Sequence, residues 1–342
     1  MTYSSYTLSQ RMLDAAISAY AIQPDVPANF FPDLKYWDPI GAASNPILFS
    51  RGSYDTDAGF LVTTQDNWIV LSLRGTLSGF SYTNLESFIS FILDWWEDDE
   101  TRLVPMFIGR TMIGNVHKGF LEAAQTLWSA VAPHLFAIDW SKYNGLLVTG
   151  HSKGAALAPL MAAFVKGYLG GGNGPKQMQV YGYAMPLAGD PMFAAWYRNN
   201  GLDACTTRYQ RAHDIVPFVP PYQSWNIFQH LTSEPGNWDA WLLCNVLKDL
   251  GDGISTGYEL IGSPIFYPGQ NPVGLSPVTG PGAITGSQAA ILAAVYYGHG
   301  EEIAKAHSAV HSYWPALFQQ PNPQLSLDEL TAKVEAELVG KA

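Results

Sequence analysis

The feature that most constrains this chain is the junction between a short apolar strand and a run of small residues. The strand GLLVTG covers residues 145–150, and an alanine-rich helical segment begins at Lys153. Between them lies Gly150-His151-Ser152-Lys153-Gly154, which has the spacing G-x-S-x-G. In a turn this sharp, side chains two residues to either side of the serine would clash, which explains the glycines at 150 and 154. The pattern predicts a nucleophile elbow that raises the Ser152 hydroxyl above a sheet edge, at a helix N-terminus that stabilises a developing anion.

Strand patterns and helix patterns alternate along the rest of the chain, which predicts an α/β fold with a mostly parallel central sheet and helices on both faces. The predicted elements are a helix at 8–21, a hairpin of 59–64 and 68–73, a helix at 119–135, strands at 177–184 and 205–210, and a final hairpin at 255–268. No internal repeat or break in composition marks a boundary, so we expect a single domain over residues 1–342.

Two stretches do not fit a minimal α/β domain. Residues 222–254 are rich in tryptophan and partly helical in pattern, and residues 264–286 are crowded with proline and glycine. Long connections in a compact domain are usually functional or disordered. We expect these stretches to be insertions or long loops.

The charge balance excludes several classes of partner. The chain has 18 basic and 29 acidic residues, a formal net charge of −11, which predicts no nucleic-acid partner and no polybasic patch for anionic lipid. It has no standard signal peptide and no apolar stretch long enough to span a membrane, so we expect a soluble protein, cytoplasmic or secreted after loss of a signal. Cys205 and Cys244 lack metal-ligand spacing, and a disulfide or two free thiols are both open to them. The sequence does not indicate the oligomeric state.

Beyond the elbow, the chain is similar to a known family. Thr149 to Ala158 resembles the T-G-H-S-L-G-G-A-L-A of the class 3 lipases, with Lys153 in place of the usual leucine. Further stretches resemble family motifs in the same order: LRGT (73–76), VHKGF (116–120), YGYAMPLAGD (181–190), RAHDIVPFVPP (211–221) and HSYW (311–314). The resemblance implies an α/β-hydrolase with a Ser-Asp-His triad.

The acid and the base follow from this resemblance and from chain order. It implies Asp214 as the acid, which also follows a strand at the sheet edge where sites of open α/β folds form. It implies His311 as the base. The aromatic pair Tyr313 and Trp314 follows His311, and we expect it to fix the loop. His307 is the main rival, because two histidines four residues apart share a face if they lie on one helix.

The resemblance also implies the remaining parts of the site. One donor of the oxyanion hole is the backbone N–H of Lys153, directly after the nucleophile, and the other is that of Thr76. An apolar stripe of Leu85, Phe88, Ile89 and Ile92 follows directly after Thr76. The family carries its lid there, so we expect residues 77–93 to be a lid that opens on a lipid surface; a core helix is the alternative.

These features predict a serine ester hydrolase that works through an acyl-enzyme and needs no metal or organic cofactor. Acylglycerols are the leading substrates, and phospholipid acyl esters and feruloyl-type esters are the alternatives. A reading from another class is a catalytically silent module for lipid binding or protein interaction. Turnover of a p-nitrophenyl ester separates enzyme from silent module.

Overall fold

The structure is a computed structural model that describes residues 3–22, 30–51, 57–77, 88, 102–219, 257–268, 277–279, 290–291 and 300–318. The predicted insertion at 222–254, Cys244 and most of the predicted lid lie outside these residues. Cys205 has no disulfide partner among the described residues.

A large mixed sheet forms the centre of the described part. Its strands are β1 (Ile47–Arg51), β2 (Asp57–Thr63), β3 (Trp68–Leu73), β6 (Gly145–His151), β7 (Met178–Tyr183), β8 (Thr206–Arg211), β9 (Ser263–Tyr267) and β10 (Val278–Thr279), in that spatial order. Five neighbouring strands of this sheet run parallel, namely β3, β6, β7, β8 and β9. The strands β1, β2 and β10 pair antiparallel at its two edges. A separate ribbon pairs β4 (Leu103–Ile108) with β5 (Thr111–His117).

Helices cover both faces of the sheet. They are α1 (Leu8–Ser18), α2 (Leu34–Trp37), α3 (Lys118–Ala137), α4 (Lys153–Tyr168), α5 (Pro191–Asn199), α6 (Gly300–Ala306), a π-helix (Ala309–Tyr313) and α7 (Trp314–Phe318). Alternate strand residues enter two hydrophobic cores, because successive side chains of a strand point to opposite faces. Val70 and Leu147 pack with α1 and α7, whereas Leu71, Leu146 and Val148 pack with α3 and α4. This arrangement confirms the predicted fold class.

Helix α1 is joined to the sheet by polar contacts as well as apolar packing. The buried Ser72 hydroxyl donates to the Ala15 carbonyl at 2.8 Å, and the Thr149 hydroxyl donates to the Met12 carbonyl at 3.0 Å. Both donors stand on the strands that lead to the elbow region, β3 and β6. The N-terminal helix therefore supports the two central strands directly.

Two predictions about the later strands need correction. The predicted hairpin at 255–268 is wrong, because β9 pairs in parallel with β8 on one side and with β10 on the other, which leaves no edge for residues 257–262. Glu259 instead bridges to Gly189. The stretch 264–286 is not one long loop, since β9 and β10 lie within it. The hairpin of 59–64 and 68–73 is confirmed as β2 and β3.

His117 ends β5 and caps α3, its Nδ1 accepting the Phe120 N–H at 3.3 Å. Burial, and secondarily the charge of Lys153, lower the pKa of His117 to about 3. The unfolded chain then binds a proton that the folded chain does not bind, so acid below about pH 6.5 draws the protein toward unfolding.

We predict that His117→Asn, which keeps a capping side chain, makes stability less sensitive to acid. Between pH 7 and pH 5 the wild type should lose about 2 kcal/mol of unfolding free energy through this group, and the variant should be spared that loss. Denaturant unfolding at both pH values measures the difference. The exposed residue His134, changed to Asn, serves as the control. Equal pH sensitivity of wild type and His117→Asn would contradict the buried neutral state.

Candidate active site

Ser152 occupies a strained turn between β6 and α4. Its φ is 57° and its ψ is −127°, a conformation that costs energy for a residue with a Cβ. Its N–H donates to the Tyr183 carbonyl at 2.9 Å, which ties the turn to β7. The strand ends at His151 and the helix begins at Lys153, so Ser152 is the whole connection.

The two glycines of the motif make this turn possible. A Cβ on Gly150 would lie 2.3 Å from the carbonyl group of Gly154, and a Cβ on Gly154 would lie 2.2 Å from the carbonyl oxygen of Leu73. Real Cβ atoms essentially never approach so closely. The two glycines are therefore needed because β6, α4 and the end of β3 are in close contact around Ser152.

A chain of hydrogen bonds begins at the serine hydroxyl. Ser152 Oγ lies 2.9 Å from His307 Nε2, and His307 Nδ1 lies 3.2 Å from Asp214 Oδ1. All three side chains are almost fully buried. With Nδ1–H donating to the carboxylate, Nε2 is left to accept the serine proton, which is the arrangement that activates a hydroxyl as a nucleophile.

Asp214 is held ionised although no part of it reaches solvent. Burial alone would raise its pKa, but the charge of His307 and three donors outweigh burial and hold the pKa below its ordinary value. The donors are the His307 ring, the Tyr313 hydroxyl at 2.6 Å and the Val216 N–H at 3.0 Å. Tyr313 appeared in the sequence analysis only as a neighbour of His311, whereas its hydroxyl contacts the acid directly.

The prediction that His311 is the base is wrong in this geometry, because His307 is the histidine between Ser152 and Asp214. Helix α6 ends at Ala306, and Ser308 caps a separate π-helix by accepting the His311 N–H at 3.1 Å. The two histidines therefore do not share one helix face. The ring nitrogen Nε2 of His311 is buried and has no hydrogen-bond partner among the described residues.

The residues proposed for the oxyanion hole lie near the serine along the sheet edge. Lys153 is the first residue of α4, where backbone N–H groups have no partner within the helix. Thr76 follows β3, whose Leu73 pairs with Gly150 in parallel register. The Thr76 hydroxyl is buried and has no hydrogen-bond partner in the described part of the chain. The backbone N–H of Lys153 and the hydroxyl of Thr76 thus remain candidate donors for an oxyanion.

The side chain of Lys153, which departs from the family's leucine, has a separate role. Its Nζ lies 2.7 Å from Asp57 Oδ1 at the start of β2, and both side chains are largely buried. The ion pair satisfies a charge that the elbow would otherwise bury unpaired. It also ties the first turn of α4 to the sheet.

Of the four predicted lid residues, the structure describes Phe88 alone; Leu85, Ile89 and Ile92 lie outside the described residues. Phe88 is fully buried, and the centre of its ring lies 5.6 Å from that of the His307 ring. An apolar side chain from the predicted lid thus packs on the proposed base. Ser152 and His307 are each only 2% exposed in this arrangement.

Two further searches concern the described residues only. Within those ranges, no group of three or more His, Cys, Asp or Glu side chains is arranged to hold a metal ion. No helix there is long and apolar enough to cross a membrane.

Solved structures with the same fold include several lipases. One is the triacylglyceride lipase of Rhizomucor miehei, at 18% identity over 78% of this chain and 82% of that chain, with a TM-score of 0.53. The Lip2 lipase of Yarrowia lipolytica matches at 20% identity over 77% and 79%, with a TM-score of 0.52. A triacylglycerol lipase described as having a serine protease triad as its catalytic centre matches at 19% over 81% and 87%, with a TM-score of 0.54.

Structures at such low identity show the fold alone, so the sequence comparison gives separate information on the family. Residues 70–224, which include the elbow and Asp214, match the family described as lipase (class 3). Over these residues the chain is similar to the class 3 lipases, and the match supports a serine ester hydrolase on the α/β-hydrolase fold.

Proposed function

We propose that this ester hydrolase cleaves carboxylic esters of lipids, acylglycerols above all, with Ser152 as nucleophile, His307 as base and Asp214 as acid. One observation carries the assignment of roles: the continuous chain from Ser152 Oγ to His307 Nε2 at 2.9 Å and from His307 Nδ1 to Asp214 at 3.2 Å. Each link has the donor and acceptor that acyl transfer requires.

In the first half of the reaction, His307 takes the Ser152 proton as the hydroxyl oxygen attacks the ester carbonyl carbon. The negative charge that develops on the carbonyl oxygen is stabilised by two backbone N–H groups. One belongs to Lys153 at the start of α4, and the other belongs to Thr76, which follows β3. The ionised Asp214 stabilises the imidazolium. His307 then gives its proton to the leaving alcohol, and the acyl group stays on Ser152.

In the second half, His307 takes a proton from water, and the hydroxide oxygen attacks the acyl carbonyl carbon. The bond to Ser152 breaks, the fatty acid leaves, and His307 returns the proton to the serine oxygen. The same donors stabilise the second tetrahedral intermediate.

The substrate class rests on the apolar surroundings of the base and on the relatives. Phe88 covers His307 with an apolar ring, and the structures with the same fold carry the names of triacylglyceride and triacylglycerol lipases. Phospholipid acyl esters and feruloyl-type esters use the same chemistry. A panel of triacylglycerols, phospholipids and feruloyl esters decides among them, with the highest kcat/KM expected on acylglycerols.

We predict that Ser152→Ala and His307→Ala each reduce kcat on p-nitrophenyl butyrate by several orders of magnitude, on the order of 10⁶ in well-studied triads. Triad members act as a unit, so the two losses should be of similar severity. His311→Ala should retain most of the activity, and it serves as the matched histidine control. Circular dichroism and thermal unfolding verify that each variant folds.

Two outcomes would overturn the assignment of roles. One is a Ser152→Ala variant that keeps more than a few per cent of the activity. The other is a severe loss in His311→Ala combined with a mild loss in His307→Ala, which would restore the base implied by the family motif.

We propose further that residues 77–93 form a lid over the site and make the transient contact with a lipid surface. Support comes from Phe88, which is fully buried against His307, and from a serine and a histidine that hardly reach solvent. A substrate with a long acyl chain needs this cover removed. An apolar surface exposed by opening is stabilised at a lipid surface.

We predict that hydrolysis of a long-chain ester rises steeply when the substrate exceeds its solubility limit, and that Phe88→Ser blunts the rise. Activity on short soluble esters should change much less. Phe136→Ser, which alters a phenylalanine that is 56% exposed on α3, is the control and should leave the rise intact. An equal loss on soluble and aggregated substrates would make Phe88 a wall of the site and not part of a lid.

A further inference from the structure

His151, the residue before the nucleophile, contacts the backbone of the proposed base, His307. One of its ring nitrogens, Nε2, lies 2.7 Å from the backbone carbonyl oxygen of His307. The other, Nδ1, lies 2.9 Å from the hydroxyl of Tyr20. The centre of the ring lies 4.9 Å from that of the His307 ring, and the side chain is 2% exposed. The triad mechanism uses none of these contacts.

The partners of His151 determine where its proton lies. A carbonyl oxygen only accepts hydrogen bonds, so Nε2 carries the hydrogen and donates it to His307. Nδ1 then has a lone pair, and the Tyr20 hydroxyl donates to it. Both ring nitrogens are engaged, which leaves neither of them to act as a base toward a substrate.

The charge of His151 is fixed as well. Burial, and after it the charge of His307, lower the pKa of His151 to about 3, so the ring is neutral at neutral pH. When His307 becomes an imidazolium during acyl transfer, the ring 4.9 Å away is neutral and does not repel the positive charge. His151 thus contacts the base without opposing its protonation.

The backbone of His307 needs such a contact because no continuous helix fixes it. His307 lies in the turn between α6, which ends at Ala306, and the π-helix, which begins at Ala309. Its ring must stay within hydrogen-bond distance of both Ser152 and Asp214. A misplacement of about 1 Å in a catalytic group can cost on the order of 10²-fold in rate.

We infer that His151 is a positioning residue: together with Tyr20 it holds the backbone of His307 so that the ring stays in line between Ser152 and Asp214. This inference rests on the proposed function. It links α1 to the base, because Tyr20 lies in the turn that follows the helix. The Tyr20 hydroxyl also packs against Gly75, where a Cβ would lie 2.0 Å from it. The 3₁₀ turn Ala19–Ala21 carries Tyr20 to that place.

The test compares two substitutions of His151 that differ in one donor. His151→Leu removes the N–H that holds the His307 carbonyl, and His151→Gln places an amide N–H where Nε2 stands. Rates on p-nitrophenyl butyrate are divided by the number of sites titrated with a fluorophosphonate, so that misfolded protein does not count. We expect His151→Leu to lower kcat by roughly 10- to 100-fold with little change in KM. His151→Gln should recover most of that loss.

Two further variants keep the test decisive if His151→Leu does not fold. Tyr20→Phe removes the donor that selects the tautomer and should lower kcat severalfold, again at constant KM. His117→Leu removes another buried histidine whose described contacts include none of Ser152, Asp214 and His307, and its kcat per titrated site should match the wild type. Proton–nitrogen NMR of the imidazoles reads the tautomer without any turnover. We expect Nε2–H at His151.

Three results would overturn the inference: an unchanged kcat per site in His151→Leu, equal losses in the leucine and glutamine variants, or a His151 ring protonated at Nδ1 alone. The Ser152→Ala variant distinguishes a failure of the proposed function from a failure of the positioning role. If it loses activity while the His151 variants behave as wild type, the triad stands and the positioning role fails. If it stays active, the triad itself fails.

Discussion

The close packing around Ser152 is the constraint on which the rest of the site depends. One residue turns the chain from β6 into α4, and it does so at a positive φ that only the surrounding contacts maintain. Gly150 and Gly154 leave just enough room for the end of β3 beside the turn. The parallel register of β3 and β6 ends with Leu73 opposite Gly150, so the segment that carries Thr76 leaves the sheet at the same edge as the nucleophile.

Charge is distributed in the buried network so that one of its members, His307, exchanges a proton with the serine and the substrate. Asp214 is kept ionised by the donors around it, and His151 is kept neutral by burial. Only His307, between them, is arranged to gain and lose a proton with the substrate. The N-terminal helix contributes from the other side, because α1 and the residues after it support β3, β6 and the ring of His151. The site therefore depends on a segment more than a hundred residues from its nucleophile.

The sequence predicts best what local geometry determines. A strand, two glycines and a helix are contiguous in the chain, which is why Ser152 is recognisable. Asp214 is implied by the resemblance to the family motif, and its place after a strand agrees with that choice. The choice between His307 and His311 depends instead on where a helix breaks. That break is set by the Ser308 cap and by tertiary contacts such as Tyr313 to Asp214, which spacing does not encode. Tyr20 could not be found at all, because its partner is 131 residues away.

The central claim is that Ser152 is the nucleophile and that His307 activates it. It is tested most directly by allowing a fluorophosphonate to react with the folded protein and locating the adduct by peptide mass spectrometry. A single phosphonylated residue, Ser152, is expected, with a labelling rate that falls steeply when His307 is replaced by alanine. An adduct on another residue, or labelling of Ser152 at the wild-type rate without His307, would contradict the account.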